Sequence, residues 1–286
     1  MAALNLYPFT LEDAANNGAA IIGAAHGFSR FSFIFDGERL AEPYCAISHA
    51  ALGDMGRDPA RQAAVTPARA ALFGMLGINP AAVCHTGQVH GQEVAFVPAN
   101  AGGGFFDGVD GIVRARAAAG AEAAVAVTVA DCLPVLLLDT KSGALALVHS
   151  GWRGTGIAVR ALRVMEAECK SRPRDVAAIL GPCICGDCYE VDHARFCAYH
   201  AEFGGAFPAY PLGPPAREKK DGGTSQYYLD MRAANAAMLA AHGVRNIAYC
   251  ENCTVRDTRL GSFRREGAGA YTKMLVLSGW PAAGTA

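Results

Sequence analysis

Three short apolar runs follow one another in the middle of the chain: Ala124 to Val129, Pro134 to Asp139 and Ala144 to His149. They are rich in Val and Leu, only a few residues separate them, and each is too short for a helix of ordinary length. Runs with no polar alternation read as strands buried on both faces, which requires covering layers above and below. Four segments outside this block have apolar residues at helical spacings of three and four: Pro67 to Leu76, Thr155 to Lys170, His193 to Glu202 and Asp230 to His242. Pro67 suits a first helical turn, and Gly243 follows the last segment as a C-terminal cap would. The expected fold is therefore α/β, a mixed central sheet covered by helices.

The 286 residues allow one large α/β domain or two ordinary ones of roughly 150 residues each. Gly204 to Gly223 is the one candidate linker, but the roughly 60 residues left after it are thin for a separate domain. The expectation is a single domain over residues 1–286, with a long Gly/Pro surface loop near 204–223. No period of 20 to 50 residues points to a repeat architecture.

Hydrophobic types make up 52% of the chain and charged types 18%, which excludes general disorder. Lys plus Arg (25) nearly balance Asp plus Glu (26), so no global field would recruit nucleic acid. The most apolar stretch, Ala121 to Leu138, is interrupted by Thr128, Asp131 and Pro134 and fails as a membrane span. The first residues lack a basic n-region and carry Glu12 and Asp13, so a cytoplasmic location is expected. Ten cysteines in that setting read as reduced thiols, some buried and some liganding metal.

Three constellations carry chemistry. In His85 to Gly91, alternation puts His85 and His90 on opposite faces, so at most one of them reaches a given site. Asp131 and Cys132 lie between two apolar strands, and a carboxylate there needs partners or orients a ligand or a substrate hydroxyl. His149 to Gly156 runs from strand to helix, where free N–H groups, a helix N-terminus and the Arg153 fork suit an oxyanion or phosphate. It matches neither the Walker pattern nor GxGxxG. Two histidines and a cysteine at strand ends make a set that holds tetrahedral zinc with its fourth position open to water or substrate. The same atoms also permit Cys132 as a thiolate nucleophile with His149 as base.

Cys183, Cys185 and Cys188, with Cys250 and Cys253, suggest two halves of a zinc knuckle, but the 61 residues between Cys188 and Cys250 argue against a ribbon; packed thiols are the favoured reading and pairing in space is the alternative. None of the eight histidines forms the His-x-His pairs that a multicopper cluster needs.

Gln88-Val89-His90-Gly91, Ala130 to Val135, His149 to Gly154, Gly181 to Ile184 and Tyr189-Glu190-Val191 together resemble the laccase-domain family. That family has been labelled multi-copper polyphenol oxidase and is also described as purine nucleoside phosphorylase with adenosine deaminase activity. The likeness runs from about His26 to Arg265. It implies a single α/β domain related to Cys-His deamidase toxins, with His90, Cys132 and His149 as zinc ligands (copper being the other candidate ion). It also implies activity on adenosine, inosine, guanosine and methylthioadenosine, with phosphate as co-substrate. Within that frame Cys132, His149 and Asp131 are the expected catalytic residues. Arg153 and Gly154 are the expected anion site, and Arg264, in Ser262 to Gly267, is a second substrate contact.

This chain departs from the family where Gly269 to Lys273 lacks an expected arginine, and at Ser29-Arg30 and Ala68-Arg69, which are expected on loops framing the substrate. The competing functions are amide hydrolysis of the peptidoglycan-precursor editing kind, copper-dependent phenol oxidation, and metal or partner binding without turnover.

Overall fold

A computed structural model describes residues 3–11, 27–57, 62–221 and 223–282. Glu12, Asp13 and His26 lie outside these residues. The first half contains β1 (Asn5–Phe9), β2 (Phe28–Phe31), β3 (Ile34–Phe35), β4 (Glu38–Arg39), β5 (Tyr44–Ser48), α1 (Gln62–Leu76), β6 (Val83–Gly87), β7 (Val94–Val97), β8 (Gly104–Asp107) and β9 (Gly111–Arg114). Next come β10 (Ala123–Val129), β11 (Leu133–Asp139), β12 (Leu145–Ser150), α2 (Ile157–Cys169), β13 (Val176–Leu180), β14 (Glu190–Val191) and α3 (His193–Phe203). The chain continues through β15 (Ala216–Asp221), β16 (Thr224–Leu229), α4 (Met231–Ala241), β17 (Asn246–Cys250), α5 (Phe263–Glu266) and β18 (Met274–Trp280).

The three central runs are buried strands, as their composition requires, but they divide between two sheets. β11 and β12 pair antiparallel in a seven-stranded sheet ordered β1-β17-β13-β11-β12-β9-β7. β10 lies in a six-stranded sheet ordered β2-β5-β18-β10-β6-β8. Both sheets mix parallel and antiparallel pairs. Val125 and Val127 of β10 share a core with Leu136, Leu138, Leu145 and Leu147 of the other sheet, so the two sheets pack face to face. The outward face of the seven-stranded sheet is covered by α2 and α4 through Ile157, Leu162, Met165, Met231 and Leu239. α1 covers the other sheet through Ala68, Leu72 and Phe73. Mixed sheets covered by helices are thus present, arranged as a helix–sheet–sheet–helix stack.

Helix boundaries shift in informative ways. α1 begins at Gln62, so Pro67 lies inside the helix rather than in its first turn. Asp230 caps α4 by accepting from the Ala233 N–H at 2.9 Å, and Gly243 follows at φ 95°, a conformation open to glycine at little steric cost. The expected long loop ends earlier than residue 223: Ala216–Asp221 pairs in register with Thr224–Leu229, and the charged Arg217-Glu218-Lys219-Lys220 run forms a polar edge strand. Ser29-Arg30 lies in β2 and Ala68-Arg69 in α1, not on loops. Among the described residues no helix is long and apolar enough to cross a membrane.

Candidate active site

Three connections pass from the six-stranded sheet to the seven-stranded one: residues 88–93 between β6 and β7, residues 108–110 between β8 and β9, which carry Asp110, and residues 130–132 between β10 and β11. His90 sits on the first and Cys132 on the third, while His149 is near the end of β12, opposite Pro134 in register. Their ligand atoms lie within 4.8 Å of one another. The His90 and His149 rings meet edge to face with centroids 4.9 Å apart. His85, on β6, is buried away from this group beside Phe73 and the Arg69 guanidinium. Of the two histidines, His90 is the one that reaches the site.

The connections that carry His90 and Cys132 need unusual backbone. His90 has φ 61° and Asp131 φ 83°, left-handed conformations that non-glycine residues adopt only when their surroundings hold them there. For His90 the restraint is Asp110, whose Oδ2 accepts from the N–H groups of Val89 (3.0 Å) and Gly91 (2.8 Å) and whose Oδ1 accepts from that of His90 (3.0 Å). Gln88 adds a second tie, since its amide accepts from the Thr128 N–H and hydroxyl and donates to the Thr128 carbonyl, all at 2.8 Å. For Asp131 the restraint is its own carboxylate. Oδ1 accepts from the Thr254 hydroxyl at 2.5 Å and Oδ2 from the Arg264 N–H at 2.6 Å.

Asp110 Oδ1 also meets His149 Nδ1 at 2.8 Å. With Nδ1 donating to the carboxylate, Nε2 becomes the ligand atom, an arrangement that fixes tautomer and ring orientation at metal-binding histidines. Burial alone would raise the Asp110 carboxyl, but hydrogen bonds from His149 and the Gly91 and Val89 N–H groups hold it below the ordinary carboxylate range. Burial opposes the His149 imidazolium, yet the Cys132 sulfur and Asp110 push its pKa up to about 9. His90 moves the other way, lowered by burial and by neighbouring His149. Asp110 was not among the sequence candidates. Its one signal is an Asp-Gly step opening the apolar β9, which does not say which histidine it reaches.

The glycines of the 151–156 turn act differently from expectation. A Cβ on Gly151 would lie 3.3 Å from Cys132 Sγ and 3.7 Å from His90 Cδ2, so this residue keeps space open beside the three ligand atoms. A Cβ on Gly154 would lie 2.7 Å from the Gly91 carbonyl oxygen, which makes Gly154 a close-packing residue between two turns. Arg153 is exposed, with its guanidinium 5.1 Å from the centroid of the Trp152 ring, and does not line the cavity.

That cavity, of about 420 Å³, opens above His90, Cys132 and His149 and falls within the usual range for ligand pockets, about 300–1,000 Å³. Its cations are Arg195 from α3, Arg264 from α5 and Lys273 just before β18. Aromatic walls come from Trp152, Tyr189, Phe263 and Tyr271. Arg264 is held by a bond to the Glu190 carbonyl at 2.8 Å and lies 5.6 Å from the Tyr189 ring centroid. Its neighbour Arg265 turns away and donates to the carbonyls of Thr254, Val255, Asp257 and Leu260, tying that loop together. Lys273 supplies a cation in the segment where the family arginine is missing. No local motif marks Arg195 as a cavity residue, and Lys273 lies in a segment whose sequence shows only that an arginine is missing.

The fold and the site together define a two-sheet α/β protein in which two inter-sheet connections and the end of β12 bring two histidines and one cysteine together as a group that could hold a metal ion. The family model described as multi-copper polyphenol oxidoreductase laccase matches residues 42–278, and the chain belongs to that family. A Mycobacterium tuberculosis protein named purine nucleoside phosphorylase is 37% identical over 230 residues, covering 79% of this chain and 83% of its own length. A Deinococcus radiodurans protein of the same name is 32% identical over 243 residues, covering 84% and 85%. The crystal structure of YlmD from Geobacillus stearothermophilus superposes with a TM-score of 0.75 at 26% identity, covering 89% of this chain and 96% of that one.

Proposed function

We propose that this chain is a zinc-dependent purine nucleoside phosphorylase that also deaminates adenosine. The observation that carries the reading is one juxtaposition: an open His90–Cys132–His149 set at the base of a cavity that also presents three cations and four aromatic rings. The relatives named purine nucleoside phosphorylase support it.

The residues fit a zinc ion. Borderline-soft N and S donors are present in a three-ligand set, a buried carboxylate orients His149, and Gly151 leaves the adjoining space clear of a Cβ. When bound, such an ion supplies Lewis-acid stabilisation of developing negative charge. In phosphorolysis a phosphate oxygen forms the new bond to the ribose anomeric carbon while the glycosidic bond breaks and its electron pair leaves with the base. Arg195, Arg264 and Lys273 suit the phosphate, and Trp152, Tyr189, Phe263 and Tyr271 suit the purine and sugar faces. Asp131 acts as a positioning residue, because both of its oxygens hold protein groups that carry Arg264 and α5 over the cavity.

The test is product identification by mass spectrometry on adenosine and inosine, with and without phosphate. Phosphate-dependent release of base and ribose 1-phosphate is expected, with inosine formed from adenosine. Release of an amine from an amide substrate, without nucleoside turnover, would replace this reading with the hydrolase; oxygen consumption on phenols with bound copper would replace it with the oxidase.

A further inference from the structure

A second ligand cluster lies outside this cavity. The sulfur atoms of Cys185, Cys188 and Cys253 are within 4.8 Å of one another, although 68 positions separate Cys185 from Cys253. Cys183 and Cys250, grouped with them in the sequence, remain apart as buried thiols. Two turns build the cluster. In the first, the N–H groups of Cys188 and Tyr189 both return to the Cys185 carbonyl, at 2.9 and 3.0 Å. In the second, the N–H groups of Arg256 and Asp257 return to the Cys253 carbonyl at 3.1 and 2.8 Å. The turns are joined where the Thr254 N–H bonds the Cys183 carbonyl at 3.1 Å and the Cys185 N–H points at Cys253 Sγ at 3.3 Å. An N–H aimed at sulfur orients that atom as an outer-shell group does in a metal site.

We propose that Cys185, Cys188 and Cys253 form a second metal site for a thiophilic d10 cation of the zinc class. Three convergent cysteines are a soft donor set, and the site opens onto a groove whose wall includes both Cys185 and Cys253, so an ion has a path in. The surrounding charge suits three thiolates around a divalent ion: Asp187, beside Cys188 in sequence, is ion-paired to Arg217 at 2.9 Å, Lys219 at 3.5 Å and Arg256 at 3.6 Å, which leaves the neighbourhood rich in cations. The site fastens the segment that places Ile184 and Tyr189 on the cavity to the one whose Thr254 holds Asp131. Its role is structural support of the cavity wall, and it stands independently of the nucleoside reading.

The test is zinc content and free-thiol count in the intact chain, purified reduced and dialysed with zinc. Two zinc ions per chain are expected in the wild type, one in Cys132→Ala and one in Cys188→Ser. Should Cys188→Ser fold poorly, cobalt loaded into Cys132→Ala reports the same site through sulfur-to-cobalt charge-transfer absorption. The proposal is overturned if Cys132→Ala holds no zinc, if cobalt in that variant gives no charge-transfer band, or if two of the three cysteines are joined in a disulfide, seen as a mass deficit of two hydrogens. Absence of nucleoside turnover with two zinc ions bound would sink the proposed function and leave this site standing.

Discussion

Asp110 is fully buried and its two oxygens serve four donors: the N–H groups of Val89, His90 and Gly91 and the His149 ring. One carboxylate therefore sets the backbone of the turn that carries His90 and orients the His149 ring. Asp110→Asn keeps the shape but replaces an acceptor oxygen with an NH2 group, which cannot accept from the donors Asp110 serves. Zinc affinity at His90–Cys132–His149 is expected to fall about 10- to 100-fold, measured by competition with a chromophoric chelator. An unchanged affinity would remove Asp110 from the site. His90, Cys132 and His149 were legible as candidates because each belongs to a short motif beside a strand. Asp110 was not, because the link between it and His149 spans 39 positions and no local pattern encodes it.

Among the elements, the β10–β11 connection explains both what the sequence reveals of the fold and what it hides. Composition marks β10, β11 and β12 as buried, but an apolar run is equally at home in either sheet, so the crossing at Asp131 leaves no trace in periodicity. The same limit hid the division of labour between Arg264 and Arg265, since only the loop that wraps Arg265 decides which side chain faces the cavity. Cations on separate elements surround that cavity, and the phosphate reading assigns them a shared task. Lys273→Met is expected to raise KM for phosphate roughly 10-fold or more while changing KM for the nucleoside little, on the scale of about 1.5–3 kcal/mol for a charge-assisted contact. Steady-state kinetics at varied phosphate checks it, and equal effects on both substrates would contradict the assignment. Arg153→Ala, on an exposed side chain outside the cavity, is expected to change either constant less than Lys273→Met does.

For the whole molecule, His85 links core packing to acid stability. It is buried between β6 and α1, and burial together with Arg57 and Arg69 lowers its pKa to about 3. Above the ordinary value of about 6.5 neither folded nor unfolded chain protonates it. Below 6.5 the unfolded chain takes up a proton that the folded chain refuses, so stability falls with pH from about 6.5 down to about 3, by up to about 1.4 kcal/mol per unit. His85→Asn removes that slope. Urea unfolding at pH 7 and pH 5 is expected to show a smaller loss in the variant than in the wild type, and equal losses would place the acid sensitivity elsewhere.

The two face-to-face sheets meet at the site, because the turns that hold His90 and Cys132 are among the links between them. Whether catalysis runs through that junction is tested most directly by stripping the protein with a chelator, returning zinc in increments, and following phosphate-dependent release of base from inosine. Turnover should be absent after stripping and return with zinc in the wild type but not in Cys132→Ala. Full turnover in the stripped protein, or recovery in Cys132→Ala equal to that of the wild type, would contradict a catalytic role for His90, Cys132 and His149.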